Sequence, residues 1–436
     1  MSDTSVNRQS SIVSRQLTLI LVVAVLLRVG AAIYLGDKAE PLPGTFDQVS
    51  YHTLAFRLLN GFGFTFGREW WPATAANAPT AHWSFLYTFY LAAVYAIFNP
   101  HPLAARLIQA VVVGLLHPYL AFRLGKELFN QRVGLVAAGI TAVYIYFVYY
   151  TGTLMTEPFY ITAILAVLYV AIRLSRPESS NNYRLAIGLG LLLGITLLFR
   201  QLFALFVPFL FLWLWWVYYQ HHRRLPIGQS LVAVTIVAAM ILPFTAYNYA
   251  RFDRFVLLNT NAGYAFFWAN HPIHGTHFIP ILPTEKGSYY DLIPVELRSL
   301  DEAALDTALL KRGLGFVMDD PIRYAKLSVS RIPAYFIFWP SSDSGLVSNV
   351  SRVASFGLFL PFMVVGLVMS LRKWWRSGRS RWTDPLLLLY LFMALYTLIH
   401  LLSWALVRYR LPVDAVWLLF APLPLPALWD RLANKV

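Results

Sequence analysis

Two carboxylates stand in sequence contexts that suit proton-transfer chemistry. Asp47 lies where a helix is predicted to begin, because residues 50–59 have helical apolar spacing. Glu157 lies between Thr156, a candidate helix cap, and Pro158, which suits a first helical turn. Either acid could serve as a general base. The sequence also leaves structural roles open, because acids stabilise the positive end of a helix dipole without any catalytic role.

Four arginines at or near the ends of apolar segments form a second group of candidates. These residues are Arg28, Arg200, Arg408 and Arg410. A guanidinium group is suited to phosphate because its planar fork makes two charge-assisted hydrogen bonds. The alternative is that these side chains extend toward lipid headgroups. Arg28, inside the first apolar segment, could equally pair with an acid.

Three histidines repeat at three-residue spacing, at His271, His274 and His277. A helix would place them on one face, where they could hold a metal ion. Pro272 and Gly275 favour a loop instead, so solvated histidines are the preferred interpretation. The chain has no cysteine, which excludes disulfides, thiolate metal sites and a cysteine nucleophile. The sequence also has no P-loop, no HExxH and no dinucleotide-binding fingerprint, and we expect no metal and no cofactor.

The composition identifies the medium in which these residues must act. The chain has 436 residues, of which 58% are hydrophobic and 13% are charged, and its mean hydropathy is +0.57. Soluble domains carry roughly 25% charged residues, so the composition predicts an integral membrane protein. The net charge of +14 is then a matter of topology, and no nucleic-acid partner is expected.

Long apolar segments predict an all-α protein that crosses the membrane about ten times. A span needs roughly 20 mostly apolar residues. The candidate spans are residues 17–35, 104–122, 133–152, 158–174, 185–199, 202–219, 231–250, 353–371, 385–407 and 411–428.

The short basic connections between these segments predict the orientation. Clusters such as 123–132, 173–184, 221–224 and 372–381 fall on one side when the N-terminus is cytoplasmic, as the positive-inside rule expects. The C-terminus is then also cytoplasmic. Residues 85–98 are apolar but too few to span, so we place them flat or half-inserted at the outer surface. The expected location is the plasma (inner) membrane.

This topology divides the chain into four regions. Residues 1–16 are a cytoplasmic N-terminus, and 17–250 form a transmembrane module that includes an outer loop at 36–102. Residues 251–352 form a second large outer region with surface helices, and 353–436 hold the C-terminal spans. Asp47 and Glu157 then emerge on the same, extracytoplasmic face.

Several short motifs resemble, in their order and spacing, those of the GT-C membrane glycosyltransferases. The similarity is to the bacterial branch related to protein O-mannosyltransferases and lipid A aminoarabinose transferases. The motifs are Asp47 and Tyr51 with Leu58, Gly61, Gly63 and Phe64; Ala105-Arg106-Leu107-Ile108-Gln109; Leu154-Met155-Thr156-Glu157-Pro158; and Arg408-Tyr409-Arg410-Leu411-Pro412.

The resemblance implies a polytopic GT-C fold and an inverting transfer from a polyprenyl-phosphate sugar to a lipid, glycan or protein hydroxyl. The carrier would be undecaprenyl or dolichyl phosphate, held at the bilayer. By resemblance, Asp47 is the catalytic base and Glu157 the second acid of the cavity. The other expected contacts are Arg408, Arg410, Arg200, His82 and Arg68 with the donor phosphate, and Tyr51 and Asn270 with substrate.

Two departures from the family pattern limit what the resemblance implies. Gln48 follows Asp47, whereas protein O-mannosyltransferases have Asp-Glu, so a protein acceptor is in doubt. The stretch 77–83 lacks the usual basic residue, whose phosphate contact His82 or Arg68 would have to replace. A transporter or flippase of lipid-linked sugars, or an inactive scaffold, therefore remains as an alternative.

Overall fold

The protein is an all-helical bundle in the parts of the chain that the structure describes. The structure is a computed structural model, and it describes residues 3–42, 45–179, 182–342 and 344–425. Within these ranges only isolated β-bridges occur beside the helices. The all-α prediction is confirmed.

Seventeen α-helices follow one another in the described ranges. The first ten are α1 Asp3–Leu35, α2 Asp47–Leu59, α3 Phe85–Phe98, α4 Pro102–Leu128, α5 Gln131–Val143, α6 Ile145–Gly152, α7 Glu157–Leu174, α8 Tyr183–Phe199, α9 Val207–His222 and α10 Ile227–Phe252. The others are α11 Ala262–Asn270, α12 Glu302–Asp319, α13 Pro321–Tyr335, α14 Leu346–Arg352, α15 Leu358–Arg376, α16 Leu386–Leu402 and α17 Val407–Trp417.

Five helical segments of the described chain are long and apolar enough to cross a membrane. They are Val13–Leu35 of α1, α4, α7, α10 and the continuous Leu346–Arg376 that joins α14 to α15. The pair α5 and α6, bent by 52°, gives a sixth if it is counted as one span. The helices α3, α8 and α16 are apolar but shorter. The count of ten spans is therefore not confirmed.

The largest difference from the predicted spans is at residues 411–428. The helix α17 has 11 residues and ends at Trp417, and turns follow as far as residue 424. Pro422 and Pro424 lie in these turns, and proline cannot continue a helical hydrogen-bond ladder. Residues 426–428 lie outside the described part of the chain.

The short helix α3 lies across one end of the bundle. The Ser84 hydroxyl at its start donates to the Leu198 carbonyl at the end of α8, over 2.8 Å. The Tyr90 hydroxyl in its middle donates to the Ala105 carbonyl in the first turn of α4, over 2.6 Å. Both contacts are with helix termini, so α3 runs along this end of the bundle. We call this end of the bundle the site end.

The helices of the first half pack so closely that Gly134 cannot be replaced by a larger residue without a shift of the backbone. A Cβ on Gly134 of α5 would lie 2.5 Å from the Phe122 carbonyl oxygen of α4, which is too close. Small residues allow such approach of membrane helices. Arg28 of α1 is fully buried and donates to the carbonyls of Thr141 and Ala142. It therefore ties α1 to α5 through backbone oxygens, and not through an acid.

The two regions predicted to lie outside the membrane are joined by one buried acid. Glu302, at the start of α12, accepts hydrogen bonds from the Thr74 hydroxyl at 2.7 Å and the Ala81 N–H at 2.8 Å. It also accepts from the Thr260 hydroxyl at 2.5 Å. A buried carboxylate with this many donors is well compensated. It holds the 36–102 and 251–352 regions together above the site end.

Candidate active site

Asp47 begins helix α2 at the site end of the bundle. It is the acid of the first helical turn, and the preceding Phe46, whose side chain makes no cap bond, takes the cap position. The Thr45 hydroxyl accepts the Asp47 N–H over 3.2 Å. The inner face of α2 is buried, and this fixes the helix against the bundle. Asp47 is thereby held at the helix end with its carboxylate free to contact other elements.

Glu157 begins helix α7 and is almost completely buried. Thr156 precedes it but does not cap the helix with its side chain, contrary to the prediction. The Thr156 hydroxyl instead accepts a hydrogen bond from Arg200 Nε over 2.8 Å. The Glu157 side chain is 1% exposed. Its Oε2 has no hydrogen-bond partner among the described residues, which is costly unless a ligand or proton satisfies it.

Arg200 and Arg408 connect the two carboxylates. Arg200, in the short connection after α8, donates from Nη2 to Glu157 Oε1 over 2.5 Å. Arg408, the second residue of α17, donates from Nη1 to Asp47 Oδ2 over 2.5 Å. The same nitrogen of Arg408 lies 3.9 Å from Glu157 Oε1. These four residues, which we call the carboxylate–arginine cluster, alternate in charge from Asp47 to Arg200.

The cluster is partly open to solvent. The side chains of Asp47, Arg408 and Arg200 are 16%, 14% and 20% exposed. Aromatic rings pack against both cations, since Tyr409 lies 5.0 Å from the Arg408 guanidinium carbon and 5.8 Å from that of Arg200. Each side chain is held on one side and accessible on another, so a bound molecule could reach all three.

The electrostatic environment keeps Asp47 ionised. Burial alone would raise the pKa of its carboxyl, but the charge of Arg408 and hydrogen bonds from Thr45 and Arg408 outweigh it. Arg200 contributes a smaller effect in the same direction. The net result is a pKa below the ordinary range of aspartic acid. Asp47 is therefore available as a proton acceptor at neutral pH.

A buried polar network positions the turn that carries Glu157. Arg106 of α4 donates to the Gly152 carbonyl over 2.8 Å and to Gln48 Oε1 over 3.0 Å. Gln48 Oε1 also accepts the Leu154 N–H over 2.9 Å. Gln109 donates to the carbonyls on both sides of this turn, at Thr151 and Thr153.

The network links Gln48, the neighbour of Asp47, to the segment that leads into Glu157.

The motif containing Arg106 and Gln109 had no assigned role in the sequence analysis, although an arginine and a glutamine within an apolar helix are a usable signal of a buried polar network. The structure gives both residues a positioning role. Gln48 suits its place because its amide oxygen accepts two hydrogen bonds while its nitrogen donates to the Glu40 carbonyl over 2.9 Å.

Arg410 lies away from the cluster. Its Nε donates to Asp414 Oδ1 over 2.9 Å, and both side chains are fully buried. Its Nη1 donates to the Tyr335 carbonyl over 2.6 Å, and the Tyr144 hydroxyl completes the group by donating to Asp414 over 2.9 Å. The structure does not bring Arg410 together with Arg408, and its contacts are those of an internal anchor. Sequence analysis missed Asp414, although its spacing from Arg410 is the helical i,i+4 spacing.

Tyr51 and His82 lie in the 36–102 region, and each makes a polar contact outside the carboxylate–arginine cluster. Tyr51, one turn after Asp47, is buried and accepts the Ser84 N–H over 3.3 Å. His82 Nδ1 contacts the Thr260 carbonyl at 2.9 Å. Burial lowers the pKa of His82, so its imidazole is neutral at pH 7 and offers no positive charge to a phosphate.

Arg68 and Asn270 are not part of the cluster. Arg68 is exposed and packs over Trp70, 5.1 Å from the ring. Asn270 is buried, donates to the Phe266 carbonyl and accepts from Arg331 over 2.8 Å. The histidines of the same region make separate local contacts, and no group of three metal-ligating side chains occurs in the described ranges.

The comparisons with known proteins agree with a GT-C architecture. Residues 82–247, less than half of the chain, match the model of the dolichyl-phosphate-mannose-protein mannosyltransferase family. Glu157 and Arg200 fall inside this range, whereas Asp47 and Arg408 fall outside it. No functionally curated protein is significantly similar to the chain in sequence.

Three solved structures illustrate the similarity. The archaeal oligosaccharyltransferase AglB from Archaeoglobus fulgidus, in complex with an inhibitory peptide and a dolichol-phosphate, matches with a TM-score of 0.54 and 16% identity over 96% of this chain and 52% of that one. The same enzyme tethered with an acceptor peptide matches with a TM-score of 0.55 and 15% sequence identity. The match covers 96% of this chain and 50% of that one. ArnT from Cupriavidus metallidurans bound to undecaprenyl phosphate has a TM-score of 0.41 and 12% sequence identity. The match covers 96% of this chain and 80% of that one.

The present chain spans about half the length of the archaeal oligosaccharyltransferase. Almost the whole of this chain is included in the match. At such low identity the similarity establishes the fold alone. The chain is therefore a membrane protein that has the GT-C glycosyltransferase fold.

Proposed function

We propose that the chain is an inverting glycosyltransferase that uses a polyprenyl-phosphate sugar as its donor. The sugar would pass to a hydroxyl of a lipid, glycan or protein acceptor on the extracytoplasmic side of the membrane. The observation that carries the proposal is the carboxylate–arginine cluster, in which Arg408 contacts Asp47 at 2.5 Å and Glu157 at 3.9 Å. A base and a phosphate-binding cation are thus adjacent.

Asp47 has the properties that this reaction requires of a base. The acceptor hydroxyl gives its proton to Asp47 as its oxygen attacks the anomeric carbon of the donor. The bond between that carbon and the phosphate oxygen breaks on the opposite face, and its electron pair leaves with the phosphate. A single displacement of this kind inverts the anomeric centre. The low pKa of Asp47 keeps the carboxylate ready at neutral pH.

Arg408 and Arg200 are the proposed contacts for the phosphate. The departing polyprenyl phosphate gains negative charge, so it needs positive charge nearby and no proton donor. Two guanidinium groups with rings against them and partial exposure suit this task. The phosphate would compete with Asp47 for Arg408, and this competition would release the base as the donor binds. Glu157 would hold Arg200 in place and orient the acceptor.

Two of the comparisons and the membrane location of the helices support a lipid-linked donor. The archaeal enzyme of the same fold was solved with a dolichol-phosphate, and the family matched by residues 82–247 is described by a dolichyl-phosphate-mannose donor. Glu157 begins α7, which is long and apolar enough to cross a membrane. A prenyl chain could therefore lie in the bilayer beside α7 and α16 while its phosphate reaches the site end.

The test is transfer by purified protein in lipid nanodiscs, with Asp47→Asn compared with the unchanged chain. A panel of undecaprenyl-phosphate sugars is supplied with crude membrane glycolipid as acceptor, and release of free carrier phosphate is measured. We expect release by the wild type and a loss of about a hundredfold to ten-thousandfold in Asp47→Asn, the usual contribution of a general base.

Asp253→Asn is the matched control for this substitution. Asp253 is exposed and has a positive φ of 50°, a conformation that asparagine adopts readily, so its activity should remain. Equal release from wild type and Asp47→Asn would overturn the base assignment. In proteoliposomes, which enclose a lumen, transport of the intact lipid-linked sugar without release would favour the transporter alternative.

A further inference from the structure

The imidazole of His82 has one nitrogen that is bound and one that is free. Its Nδ1 lies 2.9 Å from the carbonyl oxygen of Thr260. Because a carbonyl oxygen can only accept a hydrogen bond, Nδ1 carries the proton. Nε2 makes no hydrogen bond to the described residues, and it does not belong to their buried unpaired atoms. A ligand can therefore reach Nε2.

The surroundings of His82 determine what its free nitrogen offers to a ligand. Burial is the largest effect and lowers the pKa of His82, and the charge of Glu302, the bond to Thr260 and the charge of Asp47 oppose it only in part. The imidazole is therefore neutral at pH 7, and Nε2 presents a lone pair. A lone pair repels a phosphate oxygen and attracts a hydrogen-bond donor such as a hydroxyl group.

The backbone on both sides of His82 is fixed to a second segment of the chain. The side-chain nitrogen of Asn259 donates to the carbonyls of Ala81 and Trp83, each over 2.9 Å. The Thr260 N–H donates to the Ala81 carbonyl over 3.2 Å. The carbonyl that selects the imidazole tautomer thus belongs to a segment that is itself bound to both neighbours of His82.

The buried acid Glu302 joins the same two segments. Its Oε1 accepts the Ala81 N–H over 2.8 Å and the Thr260 hydroxyl over 2.5 Å. The imidazole is therefore held through a backbone carbonyl, and that carbonyl is held through a carboxylate. An imidazole whose one nitrogen is fixed in this way has its other nitrogen oriented for contact with a ligand.

His82 lies near the carboxylate–arginine cluster and at an accessible part of the protein. Its ring centroid is 5.1 Å from that of Trp83, which is 5.5 Å from that of Tyr51, one helical turn after Asp47 on α2. Trp71, whose ring is perpendicular to the imidazole at 5.4 Å, is 37% exposed. A molecule bound beside Asp47 can therefore extend to Nε2 of His82.

We infer that His82 is a substrate-contacting residue whose Nε2 accepts a hydrogen bond from a hydroxyl group, of the transferred sugar or of the acceptor. The sequence analysis expected His82 at the donor phosphate, which is the opposite kind of contact because a phosphate needs a positive charge or a hydrogen-bond donor. Thr260 and Glu302 are then positioning residues for the imidazole. The inference rests on the proposed function, since it needs a transferase whose substrates meet at Asp47.

The test compares three substitutions of His82 in nanodiscs. His82→Phe keeps a planar ring without a hydrogen-bond acceptor, His82→Gln keeps a neutral group with an oxygen that can accept, and His82→Lys supplies a positive charge without a lone pair. His277→Phe, at an exposed histidine of the 251–352 region, is the control.

Three quantities are measured for each protein. The first is the affinity for bare undecaprenyl phosphate. The second is the affinity for the undecaprenyl-phosphate sugar from which the wild type releases most carrier. The third is the concentration of crude membrane glycolipid that gives half of the maximal transfer rate. The second and third quantities distinguish a sugar hydroxyl from an acceptor hydroxyl.

We expect His82→Phe to leave the affinity for the bare carrier unchanged and to weaken the second or the third quantity by about tenfold, the usual effect of one lost hydrogen bond. His82→Lys should be at least as impaired as His82→Phe, because an ammonium group cannot accept. His82→Gln should retain more of the lost binding than either, and His277→Phe should behave as the wild type.

Three outcomes would overturn the inference. If His82→Lys raises the affinity for the bare carrier and keeps transfer, His82 contacts the phosphate. If no substitution changes the second or third quantity, His82 contacts no substrate. If all three quantities weaken equally in every variant, His82 only supports the fold. If His82→Phe alone loses carrier binding, the inference stands when His82→Gln exceeds His82→Lys in transfer and fails in the opposite order.

The same measurements separate this inference from the proposed function. Loss of transfer in Asp47→Asn, with donor affinity and acceptor dependence unaffected in the His82 variants, would remove the inference and leave the proposed function standing. A wild type that binds the bare carrier but transfers no sugar to any acceptor would remove both.

Discussion

The carboxylate of Asp47 and the guanidinium of Arg408 lie 2.5 Å apart, although 361 positions separate them in the chain. One begins the helix α2 and the other lies in the first turn of α17. The contact joins the second helix of the described chain to the helix α17 near its other end. A proton acceptor and a cation in such proximity influence each other's ionisation, and this has a measurable consequence.

The first prediction concerns the pH dependence of transfer. The charge of Arg408 opposes the effect of burial and keeps the pKa of Asp47 below its ordinary value. The acid limb of activity in the wild type should therefore lie at lower pH than an unperturbed aspartic acid would give. In Arg408→Gln the burial remains while the lowering charge is gone, so the pKa of Asp47 rises. The acid limb of kcat/KM should then move to higher pH.

Arg200→Gln is the matched control for this pH profile. Arg200 also lowers the pKa of Asp47, but its effect is smaller than that of Arg408. We expect its acid limb to lie between those of the wild type and Arg408→Gln. Residual rates are normalised, so that only the position of the limb is compared. Identical limbs in all three proteins would show that Asp47 is not the group whose protonation stops the reaction.

The second prediction separates the two arginines of α17. Arg410→Ala leaves Asp414 fully buried without its cation, which typically costs about 3–5 kcal/mol. The apparent melting temperature should fall strongly. Arg408→Ala removes the partner of a carboxylate that is 16% exposed, so its stability should change little while its affinity for undecaprenyl phosphate falls.

A double substitution tests the cause of the instability. Arg410→Met combined with Asp414→Leu replaces the buried pair by apolar side chains and should recover much of the lost stability. If Arg410→Ala keeps its melting temperature and loses carrier binding, the phosphate role predicted for Arg410 would stand. The internal-anchor role would then be wrong.

The comparison of these two arginines shows what the sequence could predict. The motif at 408–412 placed both at a span end, and the resemblance assigned phosphate to both. Residues two apart on a helix point in different directions, so only one of them could face Asp47. Hydropathy could not tell which, because the choice depends on how α17 is rotated against α7 and α13. Asp414, four residues after Arg410, was the available signal.

The positions of Asp47 and Glu157 were better determined by sequence. Orientation from basic loops brought both to one end of the bundle, and the structure places them around the same arginine. The prediction depended on residues 85–98 not crossing the membrane, and that placement stays a prediction; in the structure α3 contacts the ends of α8 and α4. The pairing of Asp47 with Arg408 and of Glu157 with Arg200 was not predictable, because it depends on long-range side-chain packing.

The third prediction concerns the charge of Glu157. Its Oε1 lies 2.5 Å from Arg200 and 3.9 Å from Arg408, so it neutralises part of the cationic site. Glu157→Gln keeps the shape and removes the charge. The affinity for undecaprenyl phosphate should rise severalfold, because a phosphate then faces less neutralised arginines. Transfer to the acceptor should fall by roughly a hundredfold, the usual effect of a small misplacement of reacting groups.

Carrier affinity by titration and transfer by product formation are measured on the same preparations of Glu157→Gln. Glu296→Gln, at an exposed glutamate of the 251–352 region, is the control and should alter neither quantity. A parallel loss of affinity and transfer in Glu157→Gln would mean that Glu157 only supports the fold of the cluster. Complete loss of transfer in Glu157→Gln, with transfer kept in Asp47→Asn, would move the role of base from Asp47 to Glu157. Opposite changes in affinity and turnover in Glu157→Gln, together with loss of transfer in Asp47→Asn, are expected if Glu157 tunes the phosphate site while Asp47 accepts the proton.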